Sequence, residues 1–279
     1  MTRWREGLNS AVDGGWRGGA VRRSGGGPTR PTPPDGASLK ERTMTHTPTQ
    51  IPDSVAQVIE RMRAIDRQLD PRDGVACFNR MYLRVTELVG QNIVDGFFED
   101  APFLERMDVV FADLYFKAVD AAQTGGTPPV PWKPLFDARD NRTVWPIQFA
   151  LAGMNAHINH DLALAVNATC QERHTTPQTK PVHADYLRVN ELLAKVEAEV
   201  RAEYEPELLK LTTAQAEQLK HVLSGFSIAR GRDVSWGTAL TLWQQRNLAP
   251  LYNATLATLA AGVAVTGQGL LTPVVPPPA

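Results

Sequence analysis

Residues 145–166 read WPIQFALAGMNAHINHDLALAV, and the reading of this stretch decides the fold. Its length and its apolar content without period-2 alternation predict a helix buried on most sides rather than a strand. Inside it stand five polar side chains, Asn155, His157, Asn159, His160 and Asp161. Burying amide, imidazole and carboxylate groups costs free energy unless each finds a partner. Their placement therefore marks either a functional site or a satisfied polar network. At about 100° per residue, Gly153, His157, His160, Asp161 and Leu164 share one face, while Asn155 and Asn159 fall on the opposite one. His157 and Asp161 are one turn apart and can touch, and Gly153 leaves room one turn before His157.

Working outward, helical periodicity holds nearly everywhere beyond Pro52. Val55, Val58, Ile59, Met62, Ile65 and Leu69 mark one amphipathic face, and Asp70-Pro71-Arg72-Asp73-Gly74 is a stop and restart. Phe78, Tyr82, Val85 and Leu88 mark a second helix. A third has Asp100 as N-cap and Pro102 in its first turn, and ends at Gly125-Gly126. Four prolines surround Trp132 in a connection over 123–143, long enough to be functional or packed. Beyond the central helix, the pattern predicts helices from about Val182 through Tyr204, from Thr212 with Gln215 placed for a capping box, from Asp233 through Asn247, and from Pro250 to near Gly267. The expectation is an all-α, single-domain bundle of seven to nine helices over residues 51–267.

Residues 1–50 are rich in Gly, Pro, Arg and Thr without apolar periodicity, which predicts a disordered tail. Met44 is a candidate true start; without the segment before it the net charge moves from -1 to -5. Residues 268–279 are expected to form a Pro-rich disordered end. The near-neutral charge provides no basic field for nucleic acid. Two cysteines, Cys77 and Cys170, each in a helical apolar pattern, read as buried thiols of a cytoplasmic protein. The apolar stretch from Ala254 to Val265 is too short to cross a membrane, and polar residues interrupt the one at Trp145, so no membrane partner is expected.

Three chemistries fit the polar face. His157 acts as general base, oriented by Asp161, with Asn155, Asn159, Arg232 and Tyr82 as substrate contacts. Alternatively, His157 and Asp161, with His160 and Asp185 as further candidates, hold a divalent metal; His183, Asp108 and Asp113 are other available donors. The third use is ligand binding without chemistry. Opposed to all three is a scaffold whose polar cluster only fixes helix register. Arg232-Asp233 offers Asp233 as an N-cap and Arg232 as an anion contact. Tyr115 reads as core with a bonded hydroxyl. The leading expectation is a small-molecule enzyme of hydrolytic or cyclising type.

The run from Gly153 to Leu162 resembles the signature of an uncharacterised, largely actinobacterial helical family, domain-of-unknown-function family 5995. Arg106-Met107-Asp108-Val109-Val110-Phe111, Pro131-Trp132, Asp185, Asn190-Glu191-Leu192-Leu193, and Arg232-Asp233 with Trp236 are similar to it as well, spanning about residues 55–245. The resemblance implies a helical fold and a shared site without an assigned activity. It also implies that an aliphatic residue often stands at the position of His160, which favours His157 with Asp161 as the working pair. The Ala-, Arg- and Pro-rich composition is similar to that of proteins from GC-rich actinobacteria, where such helical proteins include tailoring enzymes of specialised metabolism.

Overall fold

The computed structural model describes residues 52–208, 212, 217 and 227–274, and among them the regular elements are all helical. The tail over 1–50, the Met44 start, the helix from Thr212 with its Gln215 box and residues 275–279 lie outside the described residues. Helix α1 (Val55–Gln68) begins at Ser54, whose hydroxyl accepts from the Gln57 N–H. Helix α2 (Gly74–Val94) begins at Asp73, whose carboxylate accepts the Val75 N–H at 2.8 Å and pairs with Arg139 at 2.6 Å. Helix α3 (Ala101–Gln123) has Asp100 as its cap, accepting from Phe103 N–H at 3.1 Å, with Pro102 in the first turn as expected. The Pro-rich connection is packed: it carries the short helix α4 (Lys133–Ala138) and sinks Trp132 completely.

The central segment is two helices joined by an irregular turn. Helix α5 (Pro146–Ala156) and helix α6 (Leu162–Glu172) flank a π-helical turn at His157–Asp161, closed by the Leu162 N–H bonding to the His157 carbonyl. That i to i+5 bond admits one residue more than an α turn. Helix α5 packs closely on α2 through two reciprocal glycine–phenylalanine contacts. A Cβ on Gly74 would lie 2.4 Å from the Phe149 ring, and one on Gly153 only 2.3 Å from Phe78. The room beside Gly153 is thus filled by Phe78 rather than left open, because a missing Cβ lets a ring approach the backbone.

Helix α7 (Lys180–Leu208) starts two residues before the expected Val182 and runs past Tyr204. Helix α8 (Ile228–Gln245) starts five residues before Asp233, capped by Ser227. Asp233 is therefore an exposed residue of the second turn and not an N-cap. The expected start fell late because Asp233 has the side chain of an N-cap, whereas Ser227 fills that role, and Gly231 lies within the helix. The missing side chain of Gly231 admits Asn159 Oδ1, which would sit 3.0 Å from a Cβ.

Helix α9 (Ala249–Leu270) packs on α4, α5 and α8 and continues three residues beyond Gly267, so the C-terminal segment from 268 is helical at its start. It is 22 residues long, and an 18-residue window within it reaches a mean hydropathy of 1.2, long and apolar enough to cross a membrane by length and composition. The shorter stretch from Ala254 to Val265 underestimated it, because uncharged residues extend the helix on both sides, from Ala249 to Asn253 and from Thr266 to Leu270. Gln148 ties its end to α5, donating to the Leu270 and Thr272 carbonyls at 2.8 and 2.9 Å while its Oε1 accepts the Trp145 N–H. Both cysteines are free and buried.

Candidate functional site

The π turn places two of the polar side chains, His157 and His160, on the Asp161 carboxylate, and Trp132 reaches it from the Pro-rich connection. Asp161 Oδ2 accepts from Trp132 Nε1 at 2.9 Å and from His157 Nδ1 at 3.2 Å, and Oδ1 accepts from His160 Nδ1 at 2.8 Å. Asp161 is 3% exposed and His157 2%. Burial pushes the Asp161 carboxyl up, but the hydrogen bonds from His157 and His160 more than offset this and hold it below its ordinary value. It is a fixed negative charge that orients two imidazoles.

This orientation settles the His157 tautomer. A carboxylate can only accept, so Nδ1 carries the hydrogen and Nε2 presents a lone pair. Burial pushes the His157 pKa down, against the opposing pull of Asp161, so the ring is neutral near pH 7. Nε2 is buried and has no hydrogen-bond partner among the described residues. The ring is held in an aromatic cage. Phe111 of α3 stacks on it at 3.4 Å between centroids with planes 5° apart, and Tyr82 of α2 meets it edge-on at 4.4 Å. Phe78 and Trp132 complete the surround.

His157 lines a cavity of about 70 Å³ between α2, α3, α5, α7 and α8. Its walls are apolar, with Met81, Met107, Met154 and Leu193 among them, and four groups bring polarity: His157, Tyr82, Asp108 and Arg232. Asp108 Oδ2 is buried without a hydrogen-bond partner. Burial, and secondly the charge of Glu105, push its carboxyl up to about 7. The Tyr82 and Thr86 hydroxyls, one turn apart on α2, fall short of hydrogen-bond geometry with each other. Burial drives the Tyr82 phenol well above its ordinary value, so it is a donor and not a phenolate.

The other sequence candidates are placed as follows. Asn155 and Asn159 do share the face opposite His157, but they bond to each other at 3.0 Å, and Asn155 donates to the Val263 carbonyl of α9 at 2.8 Å. Their amides join helices outside the cavity lining. Arg232 lines the cavity and ties α8 to α7, donating from Nε to Asn190 Oδ1 and from Nη2 to the Tyr186 carbonyl, both at 2.6 Å. Tyr115 is core, its hydroxyl donating to Asn79.

The metal candidates do not converge. Asp185 accepts the Glu99 and Asp100 N–H groups at 2.9 and 2.7 Å and so holds the chain entering α3. His183 stacks on Trp236, and Asp113 pairs with Lys117. Among the described residues no group of three or more His, Cys, Asp or Glu side chains is arranged to hold a metal ion. Asp161 has both oxygens engaged by N–H donors, which suits an orienting carboxylate better than a ligand.

Three contributors were missed as members of this site. Trp132 enters the sequence reading through the Pro-rich connection and the family resemblance but not as a site residue, although a buried indole N–H requires an acceptor and so carried a signal. Asp108 was considered only as a metal donor, although a carboxylate in the apolar run Met107 to Phe111 signals a buried acid. Phe111 carries no local signal, since only the packing of α3 on the π turn brings it to His157.

Fold and site together define an all-α protein with an apolar cavity, entered by a carboxylate-oriented imidazole from a π turn. The chain belongs to the family described as "Family of unknown function (DUF5995)", whose model matches residues 55–273. No curated protein and no solved structure matches it.

Proposed function

We propose that this protein is an acid–base enzyme acting on a small molecule in the cavity beside His157, of the hydrolytic or cyclising type. The single observation that carries the reading is the buried Nε2 of His157, a base without a partner on a ring whose other nitrogen is fixed by Asp161. In this scheme Nε2 removes a proton from a substrate hydroxyl or from water, and Asp161 stabilises the imidazolium that forms. Asp108, protonated up to about pH 7, returns a proton to the oxygen that accumulates charge. Tyr82 supplies a further donor. Phe111 and the methionine walls keep bulk solvent from the exchange, which strengthens each electrostatic contact.

A turnover screen over short-chain esters, lactones and hydroxy esters, each with and without a free carboxylate, tests this, using wild type, His157→Gln and Asp161→Asn. The expected result is a substrate whose turnover falls at least about a hundredfold in both variants, and whose wild-type rate declines above about pH 7, as Asp108 loses its proton, and again at acid pH, as His157 gains one. Turnover in none, or turnover indifferent to His157, would refute the proposal. A scaffold reading also has support, from the Asn155 to Val263 and Trp132 to Asp161 bonds, each of which joins distant segments. It gives no reason for the unpartnered Nε2. The metal-dependent alternative has less support still, given the engaged oxygens of Asp161 and the distant duties of Asp185.

A further inference from the structure

We propose that the molecule held in the cavity bears a carboxylate, and that Arg232 is the residue that binds it. This deepens the proposed function and rests on the cavity being its substrate site. Arg232 is 4% exposed. Its acceptors are neutral: the Asn190 amide oxygen, the Tyr186 carbonyl, and the Tyr186 ring face 4.2 Å from the guanidinium carbon. These direct the guanidinium without neutralising it, and among the described residues no carboxylate lies within ion-pairing distance, the charge of the exposed Asp233 acting on it only through space. A cation buried without a counterion costs several kcal/mol unless something compensates.

Nη1 is the one guanidinium nitrogen that donates to no described residue, and the side chain lines the cavity. A planar guanidinium with one edge fixed and one nitrogen left over suits a carboxylate oxygen. Asp108 lines the same cavity but forms no ion pair with Arg232, and it is protonated below about 7, so it leaves an entering anion unopposed. Between Arg232 and His157 the walls are apolar, including Met81, Met107, Met154 and Leu193. The cavity of about 70 Å³ has room for roughly five to seven water-sized groups. The occupant is accordingly a short-chain organic acid with its anionic end at Arg232 and a reacting carbon or oxygen toward Nε2.

The test compares pentanoate with its neutral isostere pentanamide on the full chain carrying 13C-methyl methionine. Met81, Met107 and Met154, of six methionines in the chain, line the cavity and report its occupancy by NMR. At about pH 6, where a free carboxylic acid is ionised, pentanoate is expected to shift these three methyls saturably. Pentanamide should bind at least about tenfold more weakly, a difference of about 1.4 kcal/mol. Arg232→Gln should abolish the difference, and Arg232→Lys, which keeps the charge if the Gln variant does not fold, should retain it. His157→Gln should keep the preference for pentanoate. Equal shifts by both probes, shifts by neither, or a preference that survives Arg232→Gln would overturn the inference. If His157-dependent turnover exists without carboxylate preference, only this inference fails. If carboxylate preference exists without His157-dependent turnover, the cavity is a binding site and the catalytic reading fails instead.

Discussion

Replacing Asp108 with Asn removes a buried acid while keeping its shape, and the structure fixes the sign of the result. The folded state holds the Asp108 proton up to about 7, whereas the ordinary value is 3.8. The protonated carboxyl is thus the form the fold accepts. Its contribution to stability is fully present below the unfolded value and is lost as pH rises through the folded one. A rise of about three units, at about 1.4 kcal/mol each, sets a ceiling of about 4 kcal/mol on the loss by pH 8. Water entering the cavity would reduce that figure, so about 2 to 4 kcal/mol is expected. Urea unfolding of wild type and Asp108→Asn between about pH 4 and 8 measures it. His157 works in the opposite direction, since its lowered pKa makes stability rise with pH up to its ordinary value of 6.5. That slope is common to both proteins and cancels in their difference. The variant should match wild type near pH 4 and exceed it increasingly toward pH 8. Parallel curves would refute the assignment of Asp108 as a buried, protonated acid.

His157→Gln should remove the opposing slope, so that the variant gains on wild type as pH falls below 6.5; the same urea series detects it. Trp132→Phe takes one of three N–H donors from the buried Asp161. It should cost about 1–3 kcal/mol and move the acid unfolding midpoint to higher pH, because a carboxylate held low contributes stability that disappears on protonation; circular dichroism during acid titration reads both. Gly153→Ala drives a methyl into Phe78, which itself touches Tyr82, Tyr115, Trp132 and His157. It should destabilise by about 1–3 kcal/mol in urea, and unchanged stability would mean that the α2–α5 contact is looser than described.

The helical class was legible because apolar periodicity and caps act locally: Asp100 with Pro102, and the break from Asp70 to Gly74, are both found at their expected positions. The pairing of His157 with Asp161 followed from four-residue spacing, which survives the change from an α to a π turn; the bond between Asn155 and Asn159, expected only as substrate contacts, is a finding of the structure. What spacing did not reveal was which of the two pairs faces the cavity. That depends on Phe111, Tyr82, Asp108 and Trp132, which arrive from α2, α3 and a proline-rich connection distant in sequence. The start of α8 was misplaced because Asp233 and Ser227 both have capping side chains, and only the structure shows Ser227 accepting from the Arg230 N–H. Asp185 looked like a metal donor because its chemistry permits it; only the bonds to Glu99 and Asp100 show where its oxygens are engaged.

The π turn between Ala156 and Leu162 makes the site a matter of residue count as well as residue type. Excising a single position there, such as Asn159, would let the ladder close as an unbroken α-helix and would bring His157 and Asp161 from four residues apart to three. Local helix formation would gain and the His157 environment would be dismantled. In a protein of this design, a one-codon deletion is a larger functional event than most substitutions, and a length change in this segment among related chains would signal a different use of the same bundle.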